Sequence, residues 1–191
     1  MRLLTRRALS RRTLLVAGLA AGGTLAAVLA SRKPRAEELA PLAKELKLVN
    51  PPVRPAPIRF LAADGTPHTL EEFLGHGMVV NLWATWCAPC VAELPALSAL
   101  SHALAPQDIA VLPLSSDRGG AKAVQAFFAA HDVSGLPILL DPKGAAAEAW
   151  GVDGIPTTVI IDRHGMVRAR LEGAADWSAP EAAALVRRLV A

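Results

Sequence analysis

Cys87 and Cys90 are the only cysteines of the chain, and they stand in Trp86-Cys87-Ala88-Pro89-Cys90 directly after the apolar run Met78 to Ala84. Thiols at this spacing on one helix are neighbours, so their sulfurs can bond without moving the backbone. Placed where a buried strand ends and a helix begins, such a pair can close a disulfide on itself and reopen it. The first sulfur then sits beside the free N–H groups of the first helical turn, which stabilise a thiolate. Cys87 is therefore expected as the exposed, attacking thiol. Cys90, one turn deeper, resolves the mixed disulfide. Pro89 suits a first turn, where a missing N–H costs nothing. A purely structural bridge around so small a loop adds little stability. Zinc would need two further ligands, and no His pair lies near. Redox exchange remains.

The elements that position this pair alternate strand and helix. Ile58 to Leu61 reads as a strand closed at Asp64-Gly65, and Thr69 to Leu74 as a short helix with Thr69 as cap and Glu72 in its first turn. Met78 to Ala84 is a continuous apolar strand, as for one buried on both faces. Cys87 to about Leu104 is a helix with Pro95 inside, which predicts a kink. A strand follows at Ile109–Leu114, then a helix from Gly120 to about His131, a short strand at Leu136–Leu140, and one or two helical turns at Ala145–Trp150. Thr157–Asp162 and Met166–Leu171 form an antiparallel hairpin about Arg163-His164-Gly165. Trp177 to Val190 closes the chain as an amphipathic helix capped by Ser178. A parallel βαβ core with a terminal hairpin and helix predicts an α/β domain with a mixed central sheet flanked by helices.

Charge divides the chain in two. Residues 1–35 hold eight basic side chains and no acid, so removing them from 20 Lys/Arg leaves 12 against 17 Asp/Glu, a net −5 under an overall +3. A mildly acidic body carries no basic patch for nucleic acid. Arg6-Arg7 and Ser10-Arg11-Arg12-Thr13-Leu14-Leu15 precede the Ala/Gly/Leu run of residues 14–30. This is the pattern of a twin-arginine-like export signal or a membrane anchor over residues 1–31. The run is roughly 17 residues, the short limit for a span. Cleavage after Val28-Leu29-Ala30 and retention as a tether both fit. Residues 32–56 read as a linker. Within it a short amphipathic helix falls between Arg35 and Leu48, and Asn50 to Pro57 is too Pro-rich for helix or strand and forms an extended spacer.

Val80 to Pro95, with Thr85-Trp86-Cys87-Ala88-Pro89-Cys90 at its centre, resembles the signature of the TlpA/ResA-like family of exported thiol–disulfide oxidoreductases, which have a thioredoxin-like fold. Gly151-Val152-Asp153-Gly154-Ile155-Pro156-Thr157-Thr158 is similar to that family's second motif. The likeness runs from residue 57 to 191 and implies one thioredoxin-like domain there. It implies Cys87 as nucleophile, Cys90 as resolving thiol and no cofactor beyond the Cys87-Cys90 disulfide. It makes Pro156 a cis-proline facing the pair, and Ile155 the residue that offers backbone to a bound client. Glu93 matches an acidic residue that tunes the pair, although a solvated helix glutamate is an equal reading of that position. Trp86 and Trp83 either shield the sulfurs or fill the core. Asn81 stands where thioredoxin has a buried Asp. An amide cannot shuttle a proton, so Glu93, Thr85 or water must deprotonate Cys90.

The resemblance further implies a monomer on the periplasmic side of the inner membrane, reduced by a membrane electron donor. Its clients are proteins with exposed cysteines in cytochrome c maturation or in copper-site assembly of respiratory oxidases. The same cysteines could serve a disulfide-forming oxidant or, as soft ligands, a Cu(I)-handling protein. A thiol peroxidase is disfavoured, because no cysteine lies outside the pair. His164-Gly165-Met166 has the side chains of a copper ligand pair, but a hairpin turn explains it with fewer assumptions. His68, His76, His102 and His131 lack ligand spacing and are expected on the surface, so no metal site is assigned.

Overall fold

The computed structural model describes residues 40–191. Over that span the chain runs α1 (Ala40–Glu45), β1 (Lys47–Val53), β2 (Arg59–Ala62), β3 (Pro67–Thr69), β4 (Gly77–Trp83), α2 (Ala88–Leu104), β5 (Ile109–Ser115), α3 (Gly120–Ala130), β6 (Leu139–Leu140), α4 (Ala145–Ala149), β7 (Thr157–Ile161), β8 (Val167–Glu172) and α5 (Pro180–Val190), with a 3₁₀ turn at Leu70–Phe73. The strands make one sheet in the order β1-β8-β7-β4-β5-β6-β2-β3. β5 runs parallel to β4 and β6. The other pairings are antiparallel. This is the mixed, helix-flanked sheet that the alternation predicts.

β4 is the axis of the fold, and all its residues are buried. Its period of two sorts them between two cores. Val79 and Trp83 join residues of α2, α3 and α5, including Leu94, Leu97, Val124, Leu185 and Val186. Met78, Val80 and Leu82 face the other way, against Phe60, Leu70, Ala146 and Trp150. Gly77, the first residue of β4, has no room for a side chain: a Cβ there would lie 2.7 Å from Cγ2 of Val190 at the end of α5. Burial of both faces holds the C-terminal end of β4 rigid, and the cysteines follow at once.

Four expectations change. The strand expected at Leu136–Leu140 forms only at Leu139–Leu140, as β6. The Pro-rich stretch expected as an extended spacer includes part of an edge strand: Lys47 and Leu48 pair with Arg170 and Ala169, and Val53 pairs with Val167 across an irregular bulge. Proline is tolerated there because an edge strand bonds on one side only. The helix expected between Arg35 and Leu48 is α1 within the described residues, with Leu42 and Leu46 buried and Leu48 exposed on β1. Ser178 does not cap α5. Its backbone N–H and hydroxyl both turn back to Asp176, and the helix begins at Pro180 without a side-chain cap. Thr69 and Glu72 behave as predicted, with Glu72 accepting from the Thr69 N–H at 2.9 Å. The signal or anchor assigned to residues 1–31 lies outside the described residues. Among those described, no helix is long and apolar enough to cross a membrane.

Candidate active site

Cys87 occupies the N-cap of α2, and Pro89 lies in the first turn. The two sulfurs are joined in a disulfide, with the Cα atoms 5.3 Å apart. The backbone N–H of Cys90 donates to Cys87 Sγ at 3.3 Å. That donor is one of the free amides at the helix start, where the helix dipole favours negative charge. Cys90 is fully buried and Cys87 is 6% exposed. Trp86, beside it, is 71% exposed, so it projects over the entrance rather than filling the core. Trp83 does the opposite, packing against Phe127 and Phe128.

Across from the cysteines the Ile155–Pro156 peptide is cis, as is Asn50–Pro51, which the sequence reading did not anticipate. The Ile155 carbonyl oxygen is 3.7 Å from Cys87 Sγ. Pro156 is buried and leads directly into β7, while Ile155 is half-exposed. Beside the sulfurs a groove of about 230 Å³ is lined by Trp86, Leu114, Ala147, Val152, Gly154 and Ile155. Its walls are mainly apolar, which suits a peptide segment rather than a charged small molecule. Arg170 secures the approach to this loop by donating to the Trp150 carbonyl at 2.7 Å.

A polar network lies behind the pair. Glu93 follows Cys90 by one helical turn, hence on the same face of α2. It is 4% exposed, so the solvated-glutamate reading does not hold. Asn81 Nδ2 donates to Glu93 Oε1 at 2.8 Å and to Thr158 Oγ1 at 3.0 Å. The Ala175 N–H donates to Glu93 Oε2 at 3.2 Å. Burial pushes the Glu93 carboxyl above its ordinary range, and the bonds from Asn81 and Ala175 oppose it. On the side away from the groove, Glu93 also borders a cleft of about 620 Å³ with Glu45, Pro95, Ala175 and Ser178. The side-chain oxygen of Asn81, Oδ1, is buried without a partner.

The structure thus gathers Trp86, Cys87, Cys90, Ile155 and Pro156 at one end of the sheet, with Glu93 behind them. His164 and Met166 lie at the other end, in the β7–β8 turn, where Asp162 Oδ1 accepts from both of their N–H groups. His68 bonds Glu72 at 2.7 Å, and His76, His102 and His131 are exposed. One group at the active-site end escaped the sequence reading. Asp117, just past β5, is buried and bonds Thr85, the residue before Trp86. The available signal was Ser115-Ser116-Asp117 at the C-terminal end of a parallel strand, where α/β sheets place their sites.

The chain is similar in sequence and fold to known thiol–disulfide oxidoreductases. A thiol-disulfide oxidoreductase named ResA from Geobacillus thermodenitrificans is 32% identical over 110 residues, which is 58% of this chain and 62% of the relative's own length. The fold is similar to that of a Chlorobium tepidum protein assigned as a thiol:disulfide interchange protein, DsbE, with a TM-score of 0.65 at 21% identity over 73% of this chain and 97% of that one. It is also similar to the exposed lipoprotein thioredoxin Etrx1 of Streptococcus pneumoniae, with a TM-score of 0.58 at 26% identity over 70% and 98% of the two chains. The sheet, its flanking helices and the cysteine-bearing helix start are therefore those of a thioredoxin-like fold. A family model matches residues 52–170, and the chain belongs to the AhpC/TSA family.

Proposed function

We propose that this chain is an exported thiol–disulfide oxidoreductase that reduces disulfides in client proteins. The observation that carries this reading is a Cys87–Cys90 disulfide at the start of α2, bordered by exposed Trp86 and the Ile155 carbonyl. In the reduced protein the Cys87 thiolate attacks one sulfur of a client disulfide. A Cys87–client bond forms, and the other client sulfur leaves as a thiolate and takes up a proton. Cys90 then loses its proton and attacks Cys87 Sγ, releasing the second client thiol. The client gains two electrons and two protons, and the Cys87–Cys90 bond is restored. A dithiol donor, most simply a membrane protein reached through the tether of residues 14–30, then re-reduces the pair.

Glu93 is the acid–base group for Cys90 in this scheme, since burial keeps its carboxyl nearer neutral pH than an ordinary one. Ile155 and Pro156 dock the client backbone, and Trp86 covers the exchanging sulfurs. No cofactor or bound metal is required. Clients in cytochrome c maturation or in respiratory copper-site assembly are the finer proposal, which rests on the family resemblance. The protein works as a monomer on the periplasmic face of the inner membrane. A peroxidase reading lacks the separate cysteine it needs.

Equilibration of the full chain against glutathione and dithiothreitol buffers, with insulin reduction assayed in parallel, tests the assignment. A reductant has a low potential, near the roughly −270 mV of thioredoxin, and reduces insulin. A potential near about −120 mV makes it an oxidant instead. Stoichiometric Cu(I) binding without exchange activity makes it a copper carrier.

A further inference from the structure

Asp117 is a buried carboxylate that the exchange scheme does not use. It is 5% exposed and lies on the loop between β5 and α3. Its Oδ2 accepts from the Thr85 N–H at 2.9 Å, and its Oδ1 accepts from the Thr85 hydroxyl at 2.6 Å. Ser115 Oγ donates to Oδ2 at 2.7 Å and accepts from the Asp117 N–H at 3.1 Å. Both polar hydrogens of Thr85 thus end on one side chain far away in sequence. Thr85 is the first central residue of a turn closed by the Cys87 N–H on the Ala84 carbonyl at 3.1 Å. Trp86 is the second, and Cys87 is the last. The Ser116 N–H reaches the Trp83 carbonyl at 3.0 Å, so the two strand ends are stitched together immediately before the turn.

We propose that Asp117 is a positioning residue for Cys87: through Thr85 it fixes the Ala84–Cys87 turn that presents the attacking sulfur. This rests on the reading of Cys87 as nucleophile. Hydrogen bonds to a charged acceptor are short and strong, and here they tie down a segment that otherwise projects from the sheet. The turn carries the most exposed large apolar side chain of the described residues, Trp86, which provides no anchorage of its own. A loop free to wander would have to find the attack geometry at each encounter. Holding it there removes that entropy beforehand. Charge neutralisation of a surface pair does not account for the arrangement, since all the donors are uncharged and the carboxylate is buried.

The test uses the full chain in a Cys90→Ser background, reduced, with 5,5′-dithiobis(2-nitrobenzoic acid) as the disulfide probe and a parallel melting curve. Asp117→Asn should slow attack by about tenfold, the scale of one charge-assisted hydrogen bond. Thr85→Val should slow it several-fold, Thr85→Ser should restore it to within about twofold, and Asp117→Asn with Thr85→Val should be no slower than Asp117→Asn alone. Unchanged attack rates in folded variants overturn the inference, as do additive effects or a Thr85→Ser variant as slow as Thr85→Val. If Asp117→Asn fails to fold, the Thr85 pair decides alone. A parent that does not react with the probe overturns the functional reading, and this inference with it. An active parent with indifferent variants overturns only the inference.

Discussion

Glu93 and Asp117 are buried carboxylates at the same end of the sheet, yet their surroundings differ. Asp117 meets two donors from Thr85 and one from Ser115. Glu93 meets the Asn81 amide and the Ala175 N–H, and the loss of water outweighs both, so its proton is held more tightly than usual. Three bonds from the turn and the neighbouring strand end suit Asp117 to holding a loop. Burial that its donors do not offset suits Glu93 to exchanging a proton. Residue type and burial are nearly shared, so what each carboxylate is bonded to separates the two roles.

The comparison depends first on Cys87. Cys87→Ser should lower disulfide exchange by at least about 10³-fold, because both carboxylates act only on chemistry that this sulfur begins. Residual turnover of wild-type size, measured with insulin, would leave neither network a purpose. Glu93→Gln divides the steps. Resolution of the mixed disulfide should slow by about 10²-fold, while the first attack stays near the wild-type rate. Stopped-flow measurement of both phases checks this, and equal slowing of both would make Glu93 a structural group. Asp117→Asn should show the converse, a slower first attack with resolution largely kept.

Stability against pH gives the smallest effect. The Glu93 pKa is raised from 4.5, so the folded chain binds this proton more tightly than the unfolded chain does. Glu93 therefore costs stability above its folded pKa. The cost fades as pH falls through that value toward 4.5 and is gone below it. Relative to Glu93→Gln, the wild type should gain about 2–4 °C in melting temperature across this window, the scale of about 1 kcal/mol in a chain of this size. A constant difference between the two curves would mean that Glu93 does not titrate there.

The motif and its strand–helix frame were legible because both are local: an apolar run, a cap position and a proline in the first turn. The hairpin was legible for the same reason, whereas the Ile155–Pro156 approach, 68 residues from Cys87, was legible only through the family resemblance. β1 was not, because Pro51 and Pro52 argue against a strand until a partner is known, and its partner β8 lies more than a hundred residues away. Asp117 was illegible for a related reason. Its role exists only once β4 and β5 lie side by side and bring Thr85 within reach. Ser178 looked like a cap, and Asp176, two residues earlier, took its hydroxyl first.

The central claim is that Cys87 forms a covalent bond to a client sulfur and Cys90 breaks it. Mass spectrometry of the reduced Cys90→Ser full chain, mixed with a disulfide-bonded peptide, tests this most directly. The account predicts a one-to-one adduct through Cys87 that dithiothreitol releases. The absence of that adduct while the wild type still reduces the same peptide would contradict it.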